Sequence, residues 1–177
     1  MNLGGRAMSS LSPSVTPQLT LFIYLNIDNS WPNEPLRATY VKAVKEHNKK
    51  LDNKNYPSGF DLYLPRRLGV DSYSHIQYQD GYFCDLKVKA AMYEGIQPVN
   101  YKMYACSSLE ETPLRLPVNP RIVESGDRDN LHTKFDVIPK SKERWVTEQH
   151  HRLLKICSWT GKPFRVVIVD TLEELNK

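Results

Sequence analysis

The sequence predicts an all-β domain, a jelly roll or compact β-barrel, with one short helix in its N-terminal half. From Tyr56 onward, short runs rich in Val, Ile, Tyr and Phe recur at spacings of about 8–12 residues, as in sandwiches and barrels. Turn-forming pairs such as Asp80-Gly81 and Thr160-Gly161 separate these runs. Only one segment has the apolar spacing of three and four residues that marks an amphipathic helix.

The chain divides into an arm and one domain. Residues 1–18 are rich in Gly, Ser and Pro and have no periodic pattern, so we expect a flexible arm there. A docking tail for a partner is the alternative interpretation of this arm. Residues 19–177 form one β domain in this prediction, and a chain of 177 residues buries roughly two-thirds of its unfolded surface in a single core.

The first strand begins at Leu19, where LTLFIYLNI is β-branched and aromatic and requires burial or pairing on both faces. Residues Leu36 to Leu51 have helical spacing, with most lysines on the opposite, solvated side. The remaining candidate strands are Phe60–Leu64, Tyr73–Tyr78, Gly81–Ala91, Val99–Ala105, Leu114–Val118, Ile122–Val123, Leu131–Ile138, Arg152–Cys157 and Phe164–Asp170.

Composition excludes some classes of function. The net charge of +4 comes from 24 basic residues interleaved with 20 acidic ones, which argues against nucleic-acid binding. No apolar run reaches the ~20 residues of a membrane span, and we see no secretory signal peptide. Three cysteines without a CxxC pair indicate reduced thiols and therefore an intracellular protein.

Histidines do not indicate a metal site. His47 on the helix is interpreted as packed or solvated rather than as a ligand. Adjacent residues of a strand point to opposite faces, so His150 and His151 would not readily bind one ion, even with Cys157 nearby. The chain also has no glycine-rich phosphate loop. We therefore expect no bound metal and no cofactor.

Three stretches in order resemble the successive motifs of trimeric dUTPases. They are SGFDLYLP at 58–65, SSLEETPLRL at 107–116 followed by IVESGDRDNL at 122–131, and RLLKICSWTGKPFRVVIVD at 152–170. The chain is most similar to the dUTPases of large DNA viruses of algae and protists, which also carry a helix resembling YVKAVKEHNKKL. The resemblance covers about Leu21 to Leu175. It implies a jelly-roll subunit in a homotrimer, active sites at the subunit interfaces, and magnesium-dependent hydrolysis of dUTP to dUMP and pyrophosphate.

The first two motifs are partly kept. Asp61 stands at the position of the aspartate that helps to hold the metal's water shell. The second motif, expected as Pro-Arg-Ser-Ser, is Ala105-Cys106-Ser107-Ser108 here. Ser107 and Ser108 keep the two phosphate-binding hydroxyls, but cysteine cannot replace the bidentate grip of arginine on phosphate.

The third motif has changed most. The aspartate that acts as general base is Glu124, whose extra methylene moves the carboxylate and can cost on the order of a hundredfold in rate. The tyrosine under the deoxyribose is Asp127, next to the retained Arg128. Arg121 and Asp129 replace glycines. Two added carboxylates would also repel a triphosphate.

The last two motifs are altered or missing. In the fourth, Lys155 replaces the usual glutamine and His150 the preceding glycine. The fifth, a glycine-rich arm that covers the base and clamps the phosphates, has no counterpart before the chain stops at Lys177.

We therefore expect a catalytically degenerate dUTPase-like protein retained for assembly or partner binding. No catalytic or substrate-binding residue is expected to function; Asp61 and Glu124 are relics of the catalytic set, and Ser107, Ser108, Asp127 and Arg128 of the substrate-binding set. One alternative is an active, divergent dUTP diphosphatase that uses Mg²⁺, with Glu124 as base. Another is a regulatory nucleotide-binding module without turnover.

The resemblance also implies partners and a location. We expect a homotrimer, with capsid or other virion proteins as further partners and no membrane span. If the protein is viral, its place is the virion or the host cytoplasm.

Overall fold

A computed structural model describes residues 18–27, 34–65, 68–70, 82–137, 145–147 and 150–176. The described chain is mostly β-sheet with one α-helix. The strands are β1 (Leu19–Leu25), β2 (Phe60–Tyr63), β3 (Leu68–Val70), β4 (Tyr82–Asp85), β5 (Val88–Glu94), β6 (Gln97–Val99), β7 (Tyr101–Ala105), β8 (Leu114–Arg115), β9 (Arg121–Val123), β10 (His132–Val137), β11 (Trp145–Thr147), β12 (Arg152–Ser158) and β13 (Phe164–Val169). The α-helix, α1, spans Glu34–Asp52, and short 3₁₀ helices span Ser107–Glu111 and Glu173–Asn176.

The first sheet has the order β13-β1-β5-β6 and is buried on both faces where β1, β5 and β13 meet. Strand β1 pairs in parallel with β13 and antiparallel with β5. Alternate residues of β1 therefore enter two clusters: Leu21 and Ile23 join the main core, while Phe22 and Tyr24 pack under the C-terminal 3₁₀ helix with buried Leu175. This confirms the prediction that LTLFIYLNI needs cover on both sides.

The second sheet has the order β2-β12-β7-β9 and faces the same main core. Its inward residues include Phe60, Leu62, Met103 and Ile156, all at most 2% exposed. Smaller sheets are formed by β4-β10-β8 and by β11-β3. Among the described strands, hydrogen bonding closes none of these sheets into a barrel.

Helix α1 covers the free edge of β13. The side-chain amide of Asn48 donates to Val166 O (2.8 Å), and its oxygen accepts from Val166 N (3.0 Å), as a neighbouring strand would. His47 Nε2 bonds Phe164 O at 2.9 Å, and Leu36 and Tyr40 anchor the helix in the core. An edge strand with unpaired backbone groups is prone to association, so the helix also protects this sheet.

The predicted helix and most predicted strands are confirmed, with boundary shifts of a few residues. The prediction of one strand over Gly81–Ala91 is wrong. Strands β4 and β5 belong to different sheets, separated at Lys87, which has a left-handed φ of 58° and donates its backbone N–H to Asp85 Oδ1 (2.8 Å).

Other predictions were incomplete. The run Val99–Ala105 is broken at Asn100 because it contains the end of the hairpin strand β6 and all of β7. Strands β3 and β11 were missed. The candidate strand Tyr73–Tyr78 and the arm up to residue 17 lie outside the described residues.

In the part of the chain that the structure describes, no helix has the length and apolar character required to cross a membrane. Cys84 is buried, and Cys106 and Cys157 are half-buried.

Candidate functional site

Asp61 lies on the outward face of β2, opposite Lys155 of β12. Its carboxylate pairs with Arg152 Nη1 at 3.2 Å, and its side chain is 32% exposed. An ion pair this accessible stabilises a fold by no more than about 1 kcal/mol. The pair nevertheless compensates the charge of the one carboxylate that the resemblance assigns to a metal's water shell.

Cys106 contacts the same carboxylate. Its thiol Sγ lies 3.7 Å from Asp61 Oδ1 and donates to it. Burial first, and then the negative charge of Asp61, raise the pKa of Cys106 from 9.0 to about 12. The thiol therefore stays protonated at neutral pH and is a poor nucleophile, because only the thiolate reacts.

The serine pair follows directly in the 3₁₀ helix Ser107–Glu111. Ser108 Oγ donates a hydrogen bond to the backbone oxygen of Arg152, so this hydroxyl proton is already committed within the chain. Ser107 is exposed. Asp61, Cys106, Ser107 and Ser108 thus lie together near the start of β12.

The third-motif residues lie at the other end of the same sheet. Val123 pairs with Tyr101 at the start of β7, whereas Ser107 and Ser108 follow the end of β7 at Ala105. At about 3.3 Å per residue, the five-residue strand separates the two groups by roughly 13 Å. Within one chain, Glu124 is therefore remote from Asp61.

Arg128 is held by groups of its own chain. Its guanidinium donates to Ser125 O (2.6 Å), Asp127 O (2.9 Å), Asn176 Oδ1 (2.9 Å) and Tyr93 Oη (3.3 Å). These bonds use four of the five N–H donors of an arginine. The residue fastens the C-terminal 3₁₀ helix to the turn after β9.

Asp127 and Glu124 belong to that turn. The Asp127 backbone N–H donates to Glu124 O, and Asp127 Oδ1 accepts from the Asp129 backbone N–H, both at 3.0 Å. This is ordinary turn chemistry for an aspartate. The Glu124 side chain is exposed.

The structure corrects the expectation that His150 and His151 point apart as strand neighbours. His150 precedes β12 and has a left-handed φ of 66°, which breaks strand alternation. Both residues border one cavity, and within the described part of the chain each Nε2 is buried without a hydrogen-bond partner. Burial lowers the pKa of His150, which favours its neutral form. Across the described residues, no group of three His, Cys, Asp or Glu side chains could hold a metal ion.

That cavity, of about 600 Å³, lies between α1, the 3₁₀ helix Ser107–Glu111 and the start of β12. Its charged lining groups are Lys42, Glu46, Glu111 and Arg152. Lys42 lies 4.0 Å from Glu46, and Arg152 is paired with Asp61, so both cations are partly neutralised. The cavity is large enough for a nucleotide-sized molecule.

No family model matches the chain, and no curated protein does. The likeness to dUTPases therefore rests on the motif residues themselves.

Lys155 occupies the position of the fourth-motif glutamine. Its Nζ donates a hydrogen bond to Ser58 Oγ at 3.3 Å.

Sequence reasoning missed two residues that shape this region. Arg152, read only as the first residue of a strand, is the partner of Asp61, and Lys42 of α1 borders the cavity. Neither role has a signal in the sequence, because each depends on which elements lie side by side.

Proposed function

We propose that this protein is a dUTPase-like jelly roll that does not hydrolyse dUTP and serves in assembly or partner binding, in the virion of a large DNA virus. The observation that carries the proposal is that the Arg128 guanidinium, which would bind substrate in an active dUTPase, donates its hydrogen bonds to groups of its own chain. Four of its donors are taken by oxygens of its own chain. A triphosphate would have to displace these bonds.

Charge and position support the same conclusion. Glu124, Asp127 and Asp129 stand together in one turn. A carboxylate ~4 Å from one negative charge of a ligand costs roughly 4 kcal/mol at an effective dielectric of 20. Asp61 is paired with Arg152 and accepts a thiol hydrogen bond, so a hydrated metal would compete with two existing contacts.

The jelly-roll architecture is supported by two four-stranded sheets that share one core. The homotrimer is supported by the separation of the motif residues at opposite ends of β7. Only a neighbouring subunit could bring a second Glu124 towards Asp61. Light scattering of the purified protein should give the mass of three chains, and a monomer at micromolar concentration would contradict the trimer.

The decisive assay measures pyrophosphate release from dUTP with Mg²⁺. We expect no release above background. Turnover that disappears in Glu124→Gln would instead establish the divergent diphosphatase, because this substitution removes the general base while keeping nearly the same volume.

A nucleotide-binding module without turnover is a second candidate, favoured by the cavity beside Ser107 and Ser108. Calorimetry with a nonhydrolysable dUTP analogue tests it. Micromolar affinity that is lost in Ser107→Ala/Ser108→Ala, and kept in Ser125→Ala at the far end of the sheet, would favour the module. If the dUTP analogue gives no heat of binding, the assembly or partner-binding function is favoured instead.

The virion role needs a cellular test. Stoichiometric copurification with a large assembly would support it, and recovery only as a free trimer would contradict it.

A further inference from the structure

The outward face of the second sheet carries basic and aromatic side chains. In the pairing of β7 with its two neighbours, Tyr104 lies opposite Lys155, and Lys102 lies opposite both Cys157 and Ile122. The alternate residues of these strands belong to the main core. Because side chains two residues apart share one face of a strand, the five residues form one outward surface.

Trp159, the residue after β12, extends this surface. Lys102 Nζ lies 4.5 Å from the centre of its ring, a cation–π distance. The residue is 47% exposed, so the lysine leaves much of the indole open to solvent. A cavity of about 260 Å³, lined also by Met92 and Pro98, adjoins Trp159 and gives a planar group room to stack on the ring.

The two lysines of this face have ammonium groups available to a ligand. Lys155 Nζ donates to Ser58 Oγ at 3.3 Å, which uses one of its three donors. Across the residues that the structure describes, neither Lys155 nor Lys102 forms a salt bridge. The carboxylate that the register places on this face is Asp61, and Arg152 already pairs with it at 3.2 Å. The face therefore presents positive charge that its own acidic group does not neutralise.

A cluster of acidic residues lies in another part of the fold. Glu124, Asp127 and Asp129 belong to the turn after β9, and Arg128 joins this turn to the acidic 3₁₀ helix Glu173–Asn176. The interleaving of charges along the sequence argued against nucleic-acid binding. Sequence order does not fix where charges lie on the surface, however, and the fold separates this acidic cluster from the lysines of the outward face.

Open rings beside lysines distinguish between anionic partners. Lysines attract the phosphates of a nucleic acid, and unpaired bases stack on aromatic rings. A duplex keeps the faces of its bases covered, and an acidic peptide has no bases to stack. Half-buried Tyr104 lies opposite Lys155, four residues before Trp159, so the two rings are roughly 13 Å apart along the strand. They are therefore suited to two separate bases of one strand.

We propose that the outward face of the second sheet binds single-stranded nucleic acid. Lys102 and Lys155 contact the phosphates, and bases stack on Trp159 and Tyr104. The inference goes beyond the proposed function and does not depend on it, because neither dUTP hydrolysis nor an assembly partner takes part in this contact.

Fluorescence anisotropy of a labelled oligodeoxythymidylate of about 16 nucleotides measures the binding. We expect a dissociation constant of roughly 1–100 μM at physiological salt, the range of sequence-independent binding. The logarithm of the association constant should fall with the logarithm of the salt concentration with a slope of about −1.4, because each of two phosphate contacts on a single strand contributes about −0.7. An oligouridylate should bind about equally well, since stacking tolerates every base.

Two substitutions, compared at about 50 mM salt, separate stacking from charge. Trp159→Ala should weaken binding about 5-fold to 150-fold, the contribution of one stacked base, and leave the salt slope unchanged. Trp159→Phe keeps a ring and should retain most of the affinity. Lys155→Gln should weaken binding and also reduce the slope by about 0.7.

The matched controls come from the β4–β10 pair. Phe83, which is 58% exposed, lies opposite exposed Lys134, so this pair repeats an aromatic ring beside a lysine on another sheet. Phe83→Ala and Lys134→Gln should change neither the affinity nor the slope. Thermal unfolding of every variant checks that the domain is intact.

Three outcomes would overturn the inference. The first is no binding at about 50 mM salt, or equal losses in the control variants. The second is equal affinity for inorganic polyphosphate with no effect of Trp159→Ala, which would show that the face recognises charge alone. The third is an oligomer that dissociates in Lys155→Gln without any nucleic acid, which would assign the face to the acidic turn of a second copy.

Discussion

At the scale of single residues, Gly59 has less space for a side chain than Gly126 or Gly161. A Cβ at this position would lie 2.6 Å from Ile156 O and 2.8 Å from Cys157 Sγ, because the chain entering β2 runs against β12. Gly126, in the turn after β9, has nothing within 4 Å of its Cβ position. Of these two glycines, only Gly59 lacks the space for a side chain.

We predict that Gly59→Ala lowers the free energy of unfolding by about 1–3 kcal/mol, because the clash with a backbone oxygen forces strands β2 and β12 apart. Gly126→Ala is the control and should stay within about 0.5 kcal/mol of the parent. Guanidinium denaturation monitored by circular dichroism measures both. Equal stability of the two variants would contradict the packing at Gly59.

At the scale of elements, α1 is joined to β13 through the backbone of the strand. Asn48 supplies both a donor and an acceptor to Val166, which has no neighbour on that side among the described strands. Asn48→Ala should cost about 1–3 kcal/mol, because it leaves two backbone groups unpaired. Lys49→Ala, on the exposed side of the same helix, should be nearly neutral.

Hydrogen exchange locates the effect of Asn48→Ala. The Val166 amide should lose protection in this variant and keep it in Lys49→Ala. Unchanged protection in both would show that the helix does not pair with the edge of the sheet.

His47 makes the attachment of the helix sensitive to pH. Burial lowers its pKa below the ordinary 6.5, although the bond to Phe164 O and the charge of Asp61 oppose the shift, while Lys50 and Arg165 add to it. The neutral ring is therefore favoured in the fold. Its contribution to stability is present above pH 6.5 and is lost as the pH falls through the lower, folded-state pKa.

We predict that the free energy of unfolding falls as the pH is lowered from 6.5 towards 5, and that His47→Gln weakens this dependence. His150, whose pKa burial also lowers, contributes in the same direction and is tested by His150→Asn, since asparagine tolerates a left-handed φ. Denaturation series at several pH values provide the measurement. A slope unchanged in both variants would refute the assignment.

At the scale of the whole molecule, the C-terminal segment closes a second hydrophobic cluster. Leu175 is 1% exposed and packs on the outer face of the first sheet with Ala91, Tyr93 and Val169. Arg128 binds Asn176 of the same 3₁₀ helix and Tyr93 of the sheet, so it connects the third-motif turn with the end of the chain.

Arg128→Met should lower stability by about 1–3 kcal/mol and deprotect amides around Leu175, because four hydrogen bonds are lost while the volume is nearly kept. Arg165→Met removes the same charge from the surface pair with Asp52 and should cost no more than about 1 kcal/mol. Deprotection confined to Arg128→Met would support the structural role. Equal effects of the two substitutions would contradict it.

The fold was largely predictable where a pattern is local. The β-branched and aromatic run Leu19–Leu25 and the helical spacing of α1 needed no tertiary information, because residue type and spacing along the chain are enough to indicate each element. The break at Lys87 was not predictable, since the run through Tyr82–Glu94 is apolar enough for one strand. Which sheet each half joins is decided by pairing with β10 and β1.

For the site, the sequence by itself determined the residue types: a carboxylate at Asp61, hydroxyls at Ser107 and Ser108, a thiol at Cys106, and a turn crowded with Glu124, Asp127 and Asp129. Only the tertiary structure decided their partners. Asp61 meets Arg152, and Arg128 meets the C-terminal helix, through contacts between residues 91 and 48 positions apart. Side-chain chemistry is a property of each residue, whereas charge compensation depends on strand register and sheet order, which no local pattern encodes.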